Sequence, residues 1–331
     1  MEVLYTSNDL FIGKVGISIC SLFENNKQEE EINVHIFGQN ISEKNQDKLN
    51  SLAQKYSRKI TLYSIGDMAA ELNIAIASNA WHSIVLARFL VARYLPESIK
   101  RVLYLDGDTI VVDSLGELWN TDLKGCVLGG CIAATYHNNK QKQSLVGDAP
   151  YINAGILLIN LELWRQRNVE ERLLCYYNQN FEKLTALDQD SINGELMNEI
   201  YYLPPKYNFY NVYWFYKYHH LKEWMGNAFY YSQPVYQDSV EHPAIIHFLG
   251  EERPWRRGNH HKFKSEFLGY KEVSPWRDEP EETGWERYFS AWDTFNLLIQ
   301  PFPQARYAII CKLIPFFTKY RTRKLKKQQN R

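Results

Sequence analysis

Short apolar blocks alternate with polar loops along the N-terminal third of the chain. Val3 to Thr6 is an apolar run that gives way to Ser7-Asn8-Asp9, and Gly16 to Leu22 carries apolar residues at helical spacing. Ile32 to Phe37 alternates as a strand. Ser42-x-x-Asn45 opens a helix to about Tyr56 with Ser42 in the N-cap position, and Ile60 to Ser64 is the next strand. This β-α-β-α-β order predicts a parallel sheet with crossover helices. Trp81 to Leu95 is helical by period, with Pro96 shortly after its end and Arg88 interrupting its apolar face.

The run from Arg101 to Leu105 is short and bounded by charge, so it reads as a buried strand. It ends on Asp106-Gly107-Asp108, and a β-branched run follows to Val112. Ser114-x-x-Glu117 has the form of a capping box on a short helix, and Val127 to Ala134 is another strand. Tyr136 to Pro150 is polar and without period, which makes it a loop and a candidate lid. Tyr201 to Tyr236 is dense in aromatics, which either pack against the sheet or line a sugar site. Ala244 to Leu249 is an apolar strand containing His247. Past Gly258 the strand pattern stops. Trp285 to Ile299 reads as a helix, broken by Pro301 and Pro303.

Composition narrows the class. The 331 residues suffice for one large α/β domain with an appendage, or for two modest domains. The five scattered cysteines (Cys20, Cys126, Cys131, Cys175, Cys311) form no C-x-x-C pair, which argues against zinc held by cysteine, and their odd count argues against a complete disulfide framework. The chain opens directly into a strand, and no stretch approaches the ~20 apolar residues of a spanning helix. A cytoplasmic location is therefore expected. Zero net charge hides an asymmetry. From Thr294 onward there are nine Lys/Arg and no Asp/Glu, so the body is acidic by about the same amount. The sequence from Tyr307 to Phe317 is apolar and aromatic, and Lys319 to Lys327 is basic. That combination suits docking to the inner face of a membrane through anionic lipid. The acidic body argues against nucleic acid as a partner.

Asp106 and Asp108 carry the clearest chemistry. Residues two apart on extended chain share a face, and Gly107 permits a sharp turn or close approach. The bland alternative is a turn that ends a strand. The chemical one is a pair of hard oxygen ligands for Mg²⁺ or Mn²⁺ with a diphosphate. Open α/β sheets bind ligands at that end of their strands.

The longer text from Val102 through Asp113-Ser114-Leu115 to Leu118-Trp119-Asn120-Thr121-Asp122-Leu123 resembles glycosyltransferase family 8. That family holds retaining nucleotide-sugar transferases with the GT-A fold, including bacterial lipooligosaccharide α-galactosyl- and α-glucosyltransferases. Three further segments fit in order: Asn153-Ala-Gly155, Asp188-Gln189, and His247-x-x-Gly250-x-x-Arg253-Pro-Trp255. The resemblance implies that Asp106, Asp108 and His247 bind the metal. It implies donor contacts from Asn8, Arg88, Asn153, Gly250 and Arg253. It sets Asp188 and Gln189 beside the transferring sugar as catalytic residues. Arg253 departs from the family's lysine, keeping the charge but exchanging an ammonium for a planar fork. Leu10 departs from a frequent asparagine.

The expected architecture is α/β, a GT-A domain over residues 1–258, followed by a helical, basic-aromatic extension over 259–331. The expected function is metal-assisted transfer of galactose or glucose from a UDP-sugar to a glycan or lipid-linked saccharide, with Mn²⁺ (or Mg²⁺) as cofactor. The rival is a non-catalytic sugar-nucleotide- or glycan-binding protein on the same fold.

Overall fold

The computed structural model of the protein describes residues 1–74, 83–134, 145–147, 149–226, 229 and 231–313. Seven strands form the main sheet: β1 (Glu2–Asn8), β2 (Asn33–Gln39), β3 (Lys59–Ser64), β4 (Arg101–Leu105), β6 (Leu128–Ile132), β7 (Ile152–Asn160) and β8 (Ile200–Tyr202). Their order is β3-β2-β1-β4-β7-β6-β8. All run parallel except β7, which is antiparallel to both neighbours. Two apolar clusters cover the sheet, one on either side, as a buried parallel sheet requires. The run Ile152 to Ile159 is wholly buried in its middle.

Two registers assemble the site. Leu105 of β4 faces Ile156 of β7, so the end of one strand meets the beginning of the other. There the Asp106 N–H donates to the Gly155 carbonyl at 2.7 Å. A second, two-stranded sheet pairs β5 (Thr109–Val111) with β9 (Ile245–His247) and sets His247 opposite Thr109. The strand after Asp108 thereby fetches a histidine from far along the chain.

Several local expectations change. The first helix runs from Ile12 to Asn25, longer than Gly16 to Leu22, because it braces β5 through polar contacts. The Ser18 and Thr109 hydroxyls lie 3.1 Å apart, and the Val111 N–H donates to the Ser21 hydroxyl at 2.8 Å. A Cβ on Gly107 would lie 2.5 Å from Val15 of this helix, so glycine there permits close packing. Ser42 occupies the N-cap of the helix Glu43–Tyr56 but makes no side-chain cap bond. Its hydroxyl and N–H both donate to Asp9, at 2.9 and 2.8 Å. The capping box at Ser114 does not form either. The helix spans Gly116–Trp119 with Leu115 as N-cap, and Glu117 turns to Lys206 and Tyr207. The segment around Arg88 is a 3₁₀ helix, Ser83–Leu90, followed by Val91–Tyr94. The tighter winding eclipses Val85 and Arg88, and Arg88 Nε donates to the Val85 carbonyl at 3.0 Å. Trp81 and His82 lie outside the described residues, as do most of the expected lid over 136–150 and the basic segment Lys319–Lys327.

Most of the aromatic run is core. Tyr210, Tyr213, Tyr216, Tyr231 and Tyr236 are buried in a third cluster beneath the small sheet. Beyond Gly258 come helices Lys264–Val273, Glu286–Ile299 and 303–313. Trp276 is fully buried against the first helix, where a Cβ on Gly16 would lie 2.1 Å from its ring. All five cysteines are free. No described helix is long and apolar enough to cross a membrane.

Candidate active site

Asp106 and Asp108 stand at the carboxyl end of β4, on either side of Gly107. Their oxygens and the His247 imidazole form a group whose ligand atoms all lie within 4.8 Å of one another. His247 Nε2 is 3.2 Å from Asp108 and 3.9 Å from Asp106. Its other nitrogen, Nδ1, sits 2.9 Å from the Asn208 amide oxygen. An amide oxygen only accepts, so Nδ1 carries a proton and Nε2 is the nitrogen turned toward the carboxylates, able to lend its lone pair once a cation is held there. That is the tautomer a metal-binding histidine needs, with its outer partner in place. Two carboxylates and one imidazole suit a divalent cation. Three contiguous groups therefore fit the metal expected from the sequence.

Asp108 is nearly enclosed. Burial works to raise its carboxyl, but His247 and Arg253 outweigh burial and hold it at about 2. The Arg253 guanidinium lies 3.1 Å from Asp108 and stacks near the rings of Trp255 and Phe11, at 5.3 and 5.9 Å. Arg253 Nε donates to the carbonyl of Gly250, a residue with φ of +75° that only glycine adopts without strain.

Arg88 is buried and bridges two carboxylates. It lies 3.0 Å from Asp106 and 3.0 Å from Asp188. Further bonds run to the Val85 and Ala154 carbonyls and to the Tyr104 hydroxyl. Four hydrogen bonds and the ion pair to Asp188 thus surround the guanidinium. Burial opposes the charge on Arg88, but Asp188, Tyr104 and Asp106 outweigh burial and keep it cationic. Burial also pushes the Asp188 carboxyl up to about 6, against the pull of Arg88 and with a push from Asp106.

Asp188 and Gln189 open the helix Leu187–Leu196. The Gln189 amide oxygen accepts from Asn153 at 3.1 Å and from the Ala154 N–H at 3.0 Å. Asn153 in turn accepts from Asn208 at 2.8 Å. An amide relay, Gln189–Asn153–Asn208–His247, therefore connects the helix to the metal triad. Asp190 accepts the N–H groups of Thr185 and Ala186 and fastens the start of the helix. Asn160 caps the helix Leu161–Gln166 by accepting the Leu163 N–H at 3.0 Å. Asn8 is set apart from this relay. Its side-chain oxygen accepts the Phe11 N–H at 3.1 Å and closes the turn after β1.

Sequence reasoning passed over Asn208 and Tyr104. Asn208 lay inside the aromatic run. Tyr104 alternates inward on β4, and its hydroxyl donates to Asp106 at 2.7 Å. Neither carries a local signal, since each works through partners distant in sequence.

The sequence profile of glycosyl transferase family 8 matches residues 2–259. The chain belongs to glycosyl transferase family 8. This family 8 enzyme is 25% identical to general stress protein A of Bacillus subtilis (strain 168) over 281 residues, which are 83% of this chain and 94% of that protein. It is 26% identical over 282 residues to the lipopolysaccharide 1,3-galactosyltransferase of Salmonella typhimurium, covering 83% of this chain and 79% of the relative. The crystal structure of the galactosyltransferase LgtC, in complex with donor and acceptor sugar analogs, matches with a TM-score of 0.70 at 23% identity. The match covers 83% of this chain and 96% of that one. The fold is therefore GT-A, and the family 8 enzyme is a glycosyltransferase with a site for a divalent metal.

Proposed function

We propose that this glycosyltransferase moves galactose or glucose from a UDP-sugar to a saccharide acceptor, with retention of anomeric configuration and with Mn²⁺ as its metal. The observation that carries this reading is the Asp106–Asp108–His247 triad, with the open imidazole nitrogen facing two carboxylates. A divalent ion held there supplies charge neutralisation for the UDP leaving group.

The chain's own residues do the rest. Arg253 pairs with Asp108 at the triad; a metal held by Asp108 would leave its fork available to the diphosphate. Gly250 keeps backbone close to that position. Arg88 is buried between Asp106 and Asp188, so it holds both in place and acts on donor charge through its field. Asp188 accepts sugar hydroxyls. Gln189 lines the reacting face with its oxygen already accepting two bonds. An amide held in that way stabilises and positions rather than attacks, which favours departure and attack on one face of the sugar. Asn153 borders the sugar, and Asn8 borders the nucleotide at the end of β1.

Docking on the inner face of the cell membrane extends this reading. Leu297 and Leu298 at the end of the helix Glu286–Ile299, and Phe302 just after it, are 71, 70 and 62% exposed and precede the basic segment in sequence. Aromatic and apolar groups beside lysines suit anionic lipid and a lipid-linked acceptor. Sedimentation with phosphatidylglycerol vesicles tests it. Salt-sensitive binding lost in Leu297→Asp/Leu298→Asp is expected, and equal binding by both proteins counts against it.

The main test is UDP release from UDP-galactose, UDP-glucose and other UDP-sugars, with Mn²⁺ and with chelator. Release from one sugar, lost on chelation and in Asp108→Ala, is the expected result. Release that is indifferent to both overturns the metal role, and no release with acceptors supplied overturns the transferase reading.

A further inference from the structure

A cavity of about 230 Å³ lies between the loop after β9 and the helix Glu286–Ile299. Trp214, Phe289 and Trp292 give it aromatic walls, and Glu252, Asp293 and Asn296 give it polar ones. A second hollow of about 390 Å³ shares His260 and Asp293 with it and continues along the same helix past Thr294. Together they make a groove several times larger than one ordered water needs. None of its residues belongs to the metal triad or the amide relay.

The groove has unfilled hydrogen-bonding capacity. Asn296 spends its oxygen on Arg306, at 3.2 and 3.0 Å, and its amide nitrogen has no partner among the described residues. Glu252 uses one carboxylate oxygen for Asn211, at 2.7 Å, and keeps the other. Asp293 likewise meets His260 through one oxygen, at 2.7 Å.

The ligand class follows from these walls. Aromatic faces beside carboxylates and amides match a sugar ring, which has apolar C–H faces and hydroxyl edges. Glu252, Asp293 and Glu286 outnumber Lys262 along the groove, so no excess positive charge exists to hold a phosphate. A purely apolar ligand would leave the polar groups unmet. The groove is one residue removed from the reaction site on two sides. Trp214 packs on Phe209, with ring centroids 5.9 Å apart, and the Phe209 carbonyl accepts the His247 N–H at 2.8 Å. Glu252 directly precedes Arg253, which pairs with Asp108.

We propose that this groove binds a neutral saccharide, the part of the acceptor that lies beyond the sugar being extended. The proposal rests on the transferase reading above for the word acceptor, and on the groove alone for saccharide binding.

Saturation-transfer NMR on the full chain, with chelator present and lactose and maltotriose as probes, tests it. Saturation of sugar ring protons is expected in the native protein and in Asp108→Ala alike. Asn296→Ala removes an amide and should weaken binding about fivefold, the usual worth of one hydrogen bond. Trp292→Ala removes an aromatic wall and should abolish binding. Thermal melts check that each variant is folded. Saturation of neither probe, or equal binding by the native protein and folded Asn296→Ala and Trp292→Ala, overturns the proposal. UDP release by the same protein, assayed with Mn²⁺ in place of chelator, separates the two readings. Release without groove binding removes only the groove, and groove binding without release removes only the transferase reading.

Discussion

A Cβ placed on Gly155 would lie 2.2 Å from Cε1 of His247. The same atom would lie 2.9 Å from Asp106 and 2.9 Å from the Asn153 amide oxygen. Gly155 is thus the floor on which the metal triad rests, and its carbonyl already accepts the Asp106 N–H. Gly155→Ala must push His247 or the strand away. The expected cost is about 1–3 kcal/mol of stability from overpacking, with Mn²⁺ affinity lower by about 10–100-fold. Chemical denaturation and Mn²⁺ titration by electron paramagnetic resonance measure the two effects separately. A variant that keeps native affinity would mean His247 is not held against this floor.

Asn208 sets the tautomer of His247 and passes the amide relay on to Asn153. Asn208→Leu preserves size but removes both bonds. Activity or metal affinity should fall by about 10–100-fold, as for other partners of metal-ligating histidines. Asn208→Asp keeps the acceptor for Nδ1 and should retain more metal affinity than Asn208→Leu. The order of the two variants in a Mn²⁺ titration decides whether hydrogen bonding or simple packing is at work.

Arg253 holds Asp108 from a stacked position between Trp255 and Phe11. Lysine keeps the charge but cannot stack a planar fork. In Arg253→Lys the turnover should stay within about tenfold of native, the change falling mainly on the donor KM. Arg253→Ala removes a charge at the leaving group and should lower kcat/KM by about a further 10–100-fold. Equal kinetics for the lysine and alanine variants would remove Arg253 from the donor site.

His261 is buried among Trp214, Phe248 and Phe263, and burial holds its pKa down to about 3. The unfolded chain takes up this proton near pH ~6.5. The contribution to stability is therefore complete above that pH and is lost as pH falls from about 6.5 toward 3. The expected slope is about 1.4 kcal/mol per pH unit. His261→Asn keeps an acceptor for the Phe263 N–H, which His261 Nδ1 accepts at 3.2 Å, and cannot titrate. Urea unfolding at pH 7.5, 6 and 5 should show the native protein losing stability relative to the variant by this slope. Parallel curves would mean His261 titrates normally in the fold.

Some of this protein was decided locally and could be read in order along the chain. The β-α-β-α-β beginning follows from apolar runs and helical spacing, because strand and helix periods are properties of neighbouring residues. Asp106-Gly107-Asp108 was legible for the same reason. Two carboxylates around one glycine at the end of an apolar run need no distant partner to be noticed. Motif order carried the family resemblance further, to His247, Asp188 and Gln189.

What only the tertiary structure decided is how those segments meet. His247 reaches the carboxylates through the pairing of Thr109 with His247 between β5 and β9. Gly155 and Asn153 reach them through the antiparallel register of β4 with β7. Arg88 looked like a cation on a helix face and proved to be a buried bridge, because carbonyls and carboxylates from separate segments converge on it. Ser42 stands at the N-cap as expected, but its N–H and hydroxyl donate to Asp9, while Lys206 and Tyr207 draw Glu117 out of the box at Ser114. Hydrogen-bond partners far apart in sequence are set by sheet register and packing. A single sequence states which residues are available for that work, and the folded chain selects among them.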